Sequence, residues 1–203
     1  MIARPVFTVL SIAILTVAGC DRSGSGNNNP PTPAASVPAT STAVPGPIVP
    51  FDATVPADFV SYRSTSGDAT IKVPPSWATQ KTEQPGTIAL TSGGRDACGL
   101  TVVDASGYDL PGAMKDGEQQ VREGTQGPRN DVFLGADYVR LPVGIAGRLK
   151  HVLTSTDGVR MQNMQVLLVR NGKLYMLNCA APVDTFESMQ PTFDRIAASI
   201  EIH

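Results

Sequence analysis

Two dipeptides in the C-terminal third constrain the fold more than any other feature of this chain. Asp157-Gly158 and Asn171-Gly172 separate three runs of extended pattern, residues 149–156, 159–170 and 173–180. Both dipeptides suit two-residue hairpin turns, which need positive φ at both central positions. The segment therefore reads as three consecutive antiparallel strands. With two-residue loops at both turns, Leu168 faces Tyr175, Val166 faces Leu177, and Leu149 faces Val166. One face then carries Leu149, His151, Leu153, Met164, Val166, Leu168, Tyr175, Leu177 and Cys179. The other carries Val152, Leu167, Val169, Leu174 and Met176. Apolar residues on both faces predict a sheet covered on both sides.

A helix follows. Phe186, Met189, Phe193, Ile196 and Ile200 recur at helical spacing and form one apolar stripe. Asp184 with Glu187 three residues on marks its start, and Pro191 is expected to kink or divide it. A second helix is expected after Asp109, with Pro111 in its first turn and Met114 and Val121 facing inward. Earlier strands are expected at 59–63, 69–73, 87–91 and 98–103, with Pro74-Pro75 ending the second before Trp77. Residues 124–130 read as a loop, and 132–134 with 138–141 as one irregular strand.

The N-terminal fifty residues follow other rules. Arg4 is a lone positive charge, and residues 6–17 are apolar apart from Thr8, Ser11 and Thr16. Ala18 and Gly19 lead into Cys20, completing the layout of an export signal. As a helix the apolar part reaches roughly 18 Å, too short to span a hydrocarbon core of about 30 Å. Val17-Ala18-Gly19-Cys20 resembles a lipobox, in which the cysteine thiol takes a diacylglyceryl group and the small residues admit the peptidase. The expectation is a signal peptide over 1–19, cleavage after Gly19 and lipid on Cys20. A diacylglyceryl group, with or without a further acyl chain, holds far better than one acyl chain alone. Asp21 resembles the residue that retains such proteins in the inner membrane of enteric bacteria. From residue 21 to 50 the chain is dominated by Gly, Asn, Pro, Ala, Ser and Thr, too poor in apolar surface to offset its ordering entropy. Residues 20–50 therefore read as the lipidated cysteine and a disordered tether, about 30 residues reaching up to roughly 90 Å. Residues 51–203 remain as one globular domain of ordinary size.

The order of elements within that domain resembles PsbP-like and DcrB-like domains. Tyr62, then Ile71-Lys72-Val73-Pro74-Pro75-Ser76-Trp77, is similar to the strand, proline and tryptophan opening of that group. The long meander and the final helix from Phe186 through Ser199-Ile200 are similar to its closing half, so the likeness spans residues 59–202. Lipid-anchored members include the LpqN-type lipoproteins of actinobacteria. The resemblance implies an α+β fold, an α/β/α sandwich with helices packed on both faces of an antiparallel sheet. It implies no shared activity, because the group includes photosystem accessory subunits, nuclear-transport binders and lipoproteins without a common catalytic set.

Chemistry is weakly signalled. Cys98 and Cys179 are the cysteines that remain once Cys20 is lipidated, and in an exported protein they read as one disulfide. Two free thiols are the alternative; a redox pair would call for a Cys-x-x-Cys motif. His151 lies among Leu149 and Leu153, as a hydrogen-bonded core histidine does, and terminal His203 is expected to fray. Gly-x-Ser-x-Gly, Ser-x-x-Lys, His-x-x-x-His and phosphate-binding glycine patterns are absent from the sequence, so neither metal nor cofactor is expected. Asp104 and Asp109 read as solvated carboxylates. Trp77 is either a plug at the end of the core or an exposed ligand contact. Arg160, Arg170 and Lys173 flank the turns as solvated strand ends. Lys and Arg number 16 against 18 Asp and Glu, without a basic run, which argues against a nucleic-acid partner. The expected function is non-enzymatic: a membrane-anchored accessory or binding protein of the cell envelope, its partner an envelope protein or a small ligand. A hydrolase built around His151 and an aspartate, and an envelope-stability or glycan-contact role, are the competing readings.

Overall fold

A computed structural model describes residues 44–82, 86–124, 132–155 and 157–203. The expectations for the signal, the lipobox, most of the tether and, apart from Gly124, which is helical, the loop at 124–130 lie outside these residues.

Eleven strands and two helices are described. In chain order they are β1 (Ile48–Pro50), β2 (Val60–Arg63), β3 (Ala69–Val73), β4 (Ala78–Gln80), β5 (Thr87–Thr91), β6 (Ala97–Asp104), α1 (Leu110–Gly124), β7 (Val132–Leu141), β8 (Gly144–Thr154), β9 (Arg160–Arg170), β10 (Lys173–Pro182), α2 (Phe186–Ala198) and β11 (Glu201–Ile202). Eight strands form one sheet in the order β1-β7-β8-β9-β10-β6-β5-β4, and β11-β3-β2 form a small second sheet. All pairings are antiparallel except that of β1, which runs parallel to β7.

The β9–β10 turn is as expected. Arg170 pairs with Lys173, and Asn171 and Gly172 both have positive φ, at 54° and 70°. That register sets Leu168 opposite Tyr175 and Val166 opposite Leu177. The β8–β9 turn differs. The Ser155 N–H donates to Val159 O and the Gly158 N–H to Ser155 O, each at 2.9 Å, so Ser155 lies across from Val159 and the register differs by one from that of the expected two-residue turn. Local side chains stabilise this loop: Ser155 Oγ donates to Val159 O, and Asp157 accepts from Ser155 and from Arg95. These bonds hold the Asp157 carboxyl down to about 2. The difference shifts β8 by one position, so Leu149 faces Gln165 and not Val166. Because side chains alternate along a strand, this moves Leu149, His151 and Leu153 to the opposite face from Val166.

The core divides accordingly. Val166, Leu168, Tyr175 and Leu177 pack with Phe186, Phe193 and Ile196 of α2 and with Ile71 and Val73 of β3. Trp77 belongs to this cluster as a plug, its ring edge-on to Phe193 at 6.4 Å between centroids. Leu149 and Leu167 form a separate cluster with Met114 of α1 and Tyr138 of β7. The helix approaches closely because two glycines face one another's elements. A Cβ on Gly147 would lie within contact distance of the Met114 side chain, and one on Gly117 would crowd Leu149.

Other differences have local causes. Pro191 neither ends nor divides α2, which runs through it from Phe186 to Ala198 with the proline exposed. Thr185, not Asp184, precedes that helix. Ile48–Pro50, assigned to the tether by composition, is an edge strand, so folded structure begins before residue 51. His203 is not frayed: its N–H donates to Asp68 O, and its ring hydrogen-bonds Thr70 Oγ1 at 2.8 Å.

Candidate functional site: a cleft between the N-terminal strap and helix α1

The site starts from a short ladder. Ile48, Val49 and Pro50 pair with Tyr138, Val139 and Arg140, while Val44 and Ile48 bury part of their surface on the Met114 cluster. Between these anchors Pro45 and Pro47 lack the N–H groups needed to continue a ladder, and Gly46 takes φ +113°. The strap at 44–50 therefore bends here. Across from it, Asp109 Oδ1 accepts the Gly112 N–H at 2.8 Å and starts α1, whose inner face is fixed by Met114 over Gly147.

Strap, helix and the middle of β7 enclose an open cleft of about 800 Å³. Its apolar lining comes from Pro45, Pro47, Val49, Pro111, Met114, Ala136 and Tyr138. Lys115, Glu118, Gln119, Arg122 and Glu123 supply a polar side along the helix. Arg122 pairs with Glu118 at 2.7 Å and lies over the Phe133 ring at 4.1 Å. Burial raises the Tyr138 phenol above its ordinary value, with Asp109 adding to the effect. Apolar walls with a few polar groups along one side are the composition of ligand-binding clefts.

On the α2 side of the same strands, Arg148 makes a two-pronged bond to Asp137, with Nε to Oδ1 at 2.9 Å. Asp194 of α2 faces this pair. Its burial raises its carboxyl above the ordinary range, against the opposing pull of Arg148 and Lys150, and its Oδ1 is buried without a hydrogen-bond partner.

The residues singled out by sequence do not converge. Cys98 is bonded to Cys179 directly across the β6–β10 pair, and both sulfurs lie in the core. His151 is 6% exposed, between Phe133 and Asn163 in neighbouring strands, so it presents no nucleophile–base pair to solvent. Asp104 ends β6 and Asp109 starts α1, so these carboxylates serve separate structural positions. Lys173 is paired with Asp68 at 2.7 Å, and Arg170 donates to Val143 O. Among the described residues no cluster of three or more His, Cys, Asp or Glu could hold a metal, and no helix is long and apolar enough to cross a membrane. The cleft itself escaped the sequence reading because one wall is proline-rich chain that resembles spacer.

Neither a family model nor a curated protein matches the sequence. Solved structures do match the fold. Cyanobacterial PsbP (CyanoP) from Synechocystis sp. PCC 6803 superposes with a TM-score of 0.56 at 14% identity, over 73% of this chain and 94% of that one. The fold is PsbP-like. A protein from Bacteroides thetaiotaomicron VPI-5482 superposes on the PsbP-like domain with a TM-score of 0.52 at 10% identity, over 72% of this chain and 49% of that one. LpqN, involved in cell envelope biogenesis of Mycobacterium tuberculosis, is a more distant match, with a TM-score of 0.47, 13% identity and coverage of 71% and 90%.

Proposed function

We propose that this chain is a lipid-anchored accessory protein at the outer face of the bacterial cytoplasmic membrane, acting by binding rather than catalysis. Cleavage after Gly19 and lipid on Cys20 provide the anchor, Asp21 favours the inner membrane, and the following stretch provides the leash. In this reading α1 and α2 cover opposite faces of the long sheet, as an α/β/α sandwich. The observation that carries the binding role is the cleft beside α1, whose wall is the strap through which the leash enters the domain. It is apolar within and polar along one side, and the residues that would serve hydrolysis lie elsewhere or are buried.

Two measurements on the native lipoprotein test this. Labelling with an alkyne fatty acid should tag the wild type and spare Cys20→Ala. A photo-crosslinker at Gln119 in the cleft should capture a specific envelope partner or small ligand in membranes, and one at exposed Gln80 on the far sheet edge should not. Equal capture at both positions, or none at either, would sink the cleft as the binding site.

A further inference from the structure

The charged groups that line the cleft are not all matched to one another. Glu118 pairs with Arg122, and Asp137 is taken by Arg148 on the α2 side of the sheet. Two groups are left over. Among the described residues Lys115 has no ionic or hydrogen-bonding partner, and Glu123 has no cation, accepting the Gln119 amide at 2.8 Å. Both belong to one stripe of α1, since Lys115, Glu118, Gln119, Arg122 and Glu123 follow the i, i+3, i+4, i+7, i+8 spacing that sets side chains on one helix face. Eight positions separate Lys115 from Glu123, which at 1.5 Å rise per residue is about 12 Å along the cleft. An unmatched cation thus stands at one end and an unmatched anion at the other, facing an apolar strap of Pro45, Pro47 and Val49. The segment that leads into the strap does not answer this pattern, because no charged residue occurs between Arg22 and Asp52.

We propose that the cleft binds a free, short, apolar peptide as a zwitterion, with its carboxylate at Lys115 and its ammonium at Glu123. This rests on the cleft being the binding site and names the chemistry of its ligand. Three or four extended residues at about 3.4 Å each span roughly 10–14 Å, which matches the separation of the two charges. A dipeptide, at roughly 7 Å, falls short, and the interior of a longer chain carries neither terminal charge. Two charge-assisted bonds at fixed spacing would select the length, and the apolar wall would take the side chains.

The test dialyses the full mature lipoprotein in detergent against synthetic peptides of two to six residues built from alanine, valine and leucine. Mass spectrometry should find three- and four-residue peptides retained at least tenfold over dipeptides and hexapeptides. N-acetylation or C-amidation of the best peptide should each weaken binding at least tenfold. Lys115→Gln and Glu123→Gln should weaken the free peptide as much while melting at the wild-type temperature, since both side chains are exposed. Each loss should belong to one end. The amidated peptide should bind wild type and Lys115→Gln alike, and the acetylated one wild type and Glu123→Gln alike. Equal retention of blocked and free peptides, or failure to retain any peptide, overturns the proposal. So does capture at Gln119 of a second copy or of this chain's own residues 21–43, either of which would fill the cleft without a free ligand. Crosslinking at Gln119 to another envelope component, with no peptide retained, would leave the cleft reading standing and remove this one.

Discussion

Asp194 is the residue whose charge sits least comfortably in the fold. Burial disfavours its carboxylate more than Arg148, Lys150 and a hydrogen bond with Gln190 favour it, so its folded-state value is raised. A raised acid binds its proton more tightly when folded. Its contribution is therefore fully present below the ordinary carboxylate range and is lost as pH rises through the folded value. Asp194→Asn keeps the shape and removes the charge. It should melt above wild type at pH 7, with the difference shrinking as pH falls toward 4; a pH series of thermal melts checks this, and a lower melt at pH 7 would count against it. Legibility at this scale depended on how local the cause was. Asn171-Gly172 was readable because the turn geometry is a property of those two residues. The Asp157-Gly158 turn was not, because Asp157 is held by bonds from Ser155 and from distant Arg95, which set a different register. That one-residue difference placed Leu149 and His151 on the wrong face, and with them the expected surroundings of the histidine.

At the level of elements, long periodic segments were legible and short edges were not. The spans of β3 and β5 and the irregularity of β7 followed from apolar pattern, and α1 followed from Asp109 and Pro111. β1, β4 and β11 have three residues or fewer, and exist because a neighbouring strand offers an edge. The same holds for the cleft, which no single segment encodes. How closely α1 lies on β8 depends on Gly147, where a Cβ would fall 1.9 Å from Met114 Sδ. Gly147→Ala should destabilise the domain by about 1–3 kcal/mol through overpacking. Adding Met114→Ala should recover part of that loss by vacating the space. Chemical denaturation of the three variants measures it; strictly additive costs would mean that the two residues do not compete for one volume.

For the whole molecule the long-range staple is the Cys98–Cys179 bond, which spans 81 residues of sequence and joins strands on either side of the α1 crossover. A loop of this size contributes about 2–4 kcal/mol by restricting the unfolded chain. The double variant Cys98→Ala, Cys179→Ala should therefore melt lower by roughly 5–15 °C. An unchanged melting temperature would show that the bond adds nothing beyond the packing already present. The PsbP-like architecture was legible at this scale because it depends on the order of strong elements: an opening strand before Pro74 and Trp77, a meander, and a closing helix.

The three paired residues of β1 have a mechanical consequence. In the proposed lipoprotein, a pull between the lipid on Cys20 and the domain would arrive at Ile48–Pro50 before it reached the disulfide-stapled strands of the sheet. The strap would yield first, like a fuse, lengthening the leash and opening one wall of the cleft while the remainder of the fold stays intact. Tension on the anchor would thus register as a change in what the cleft can hold.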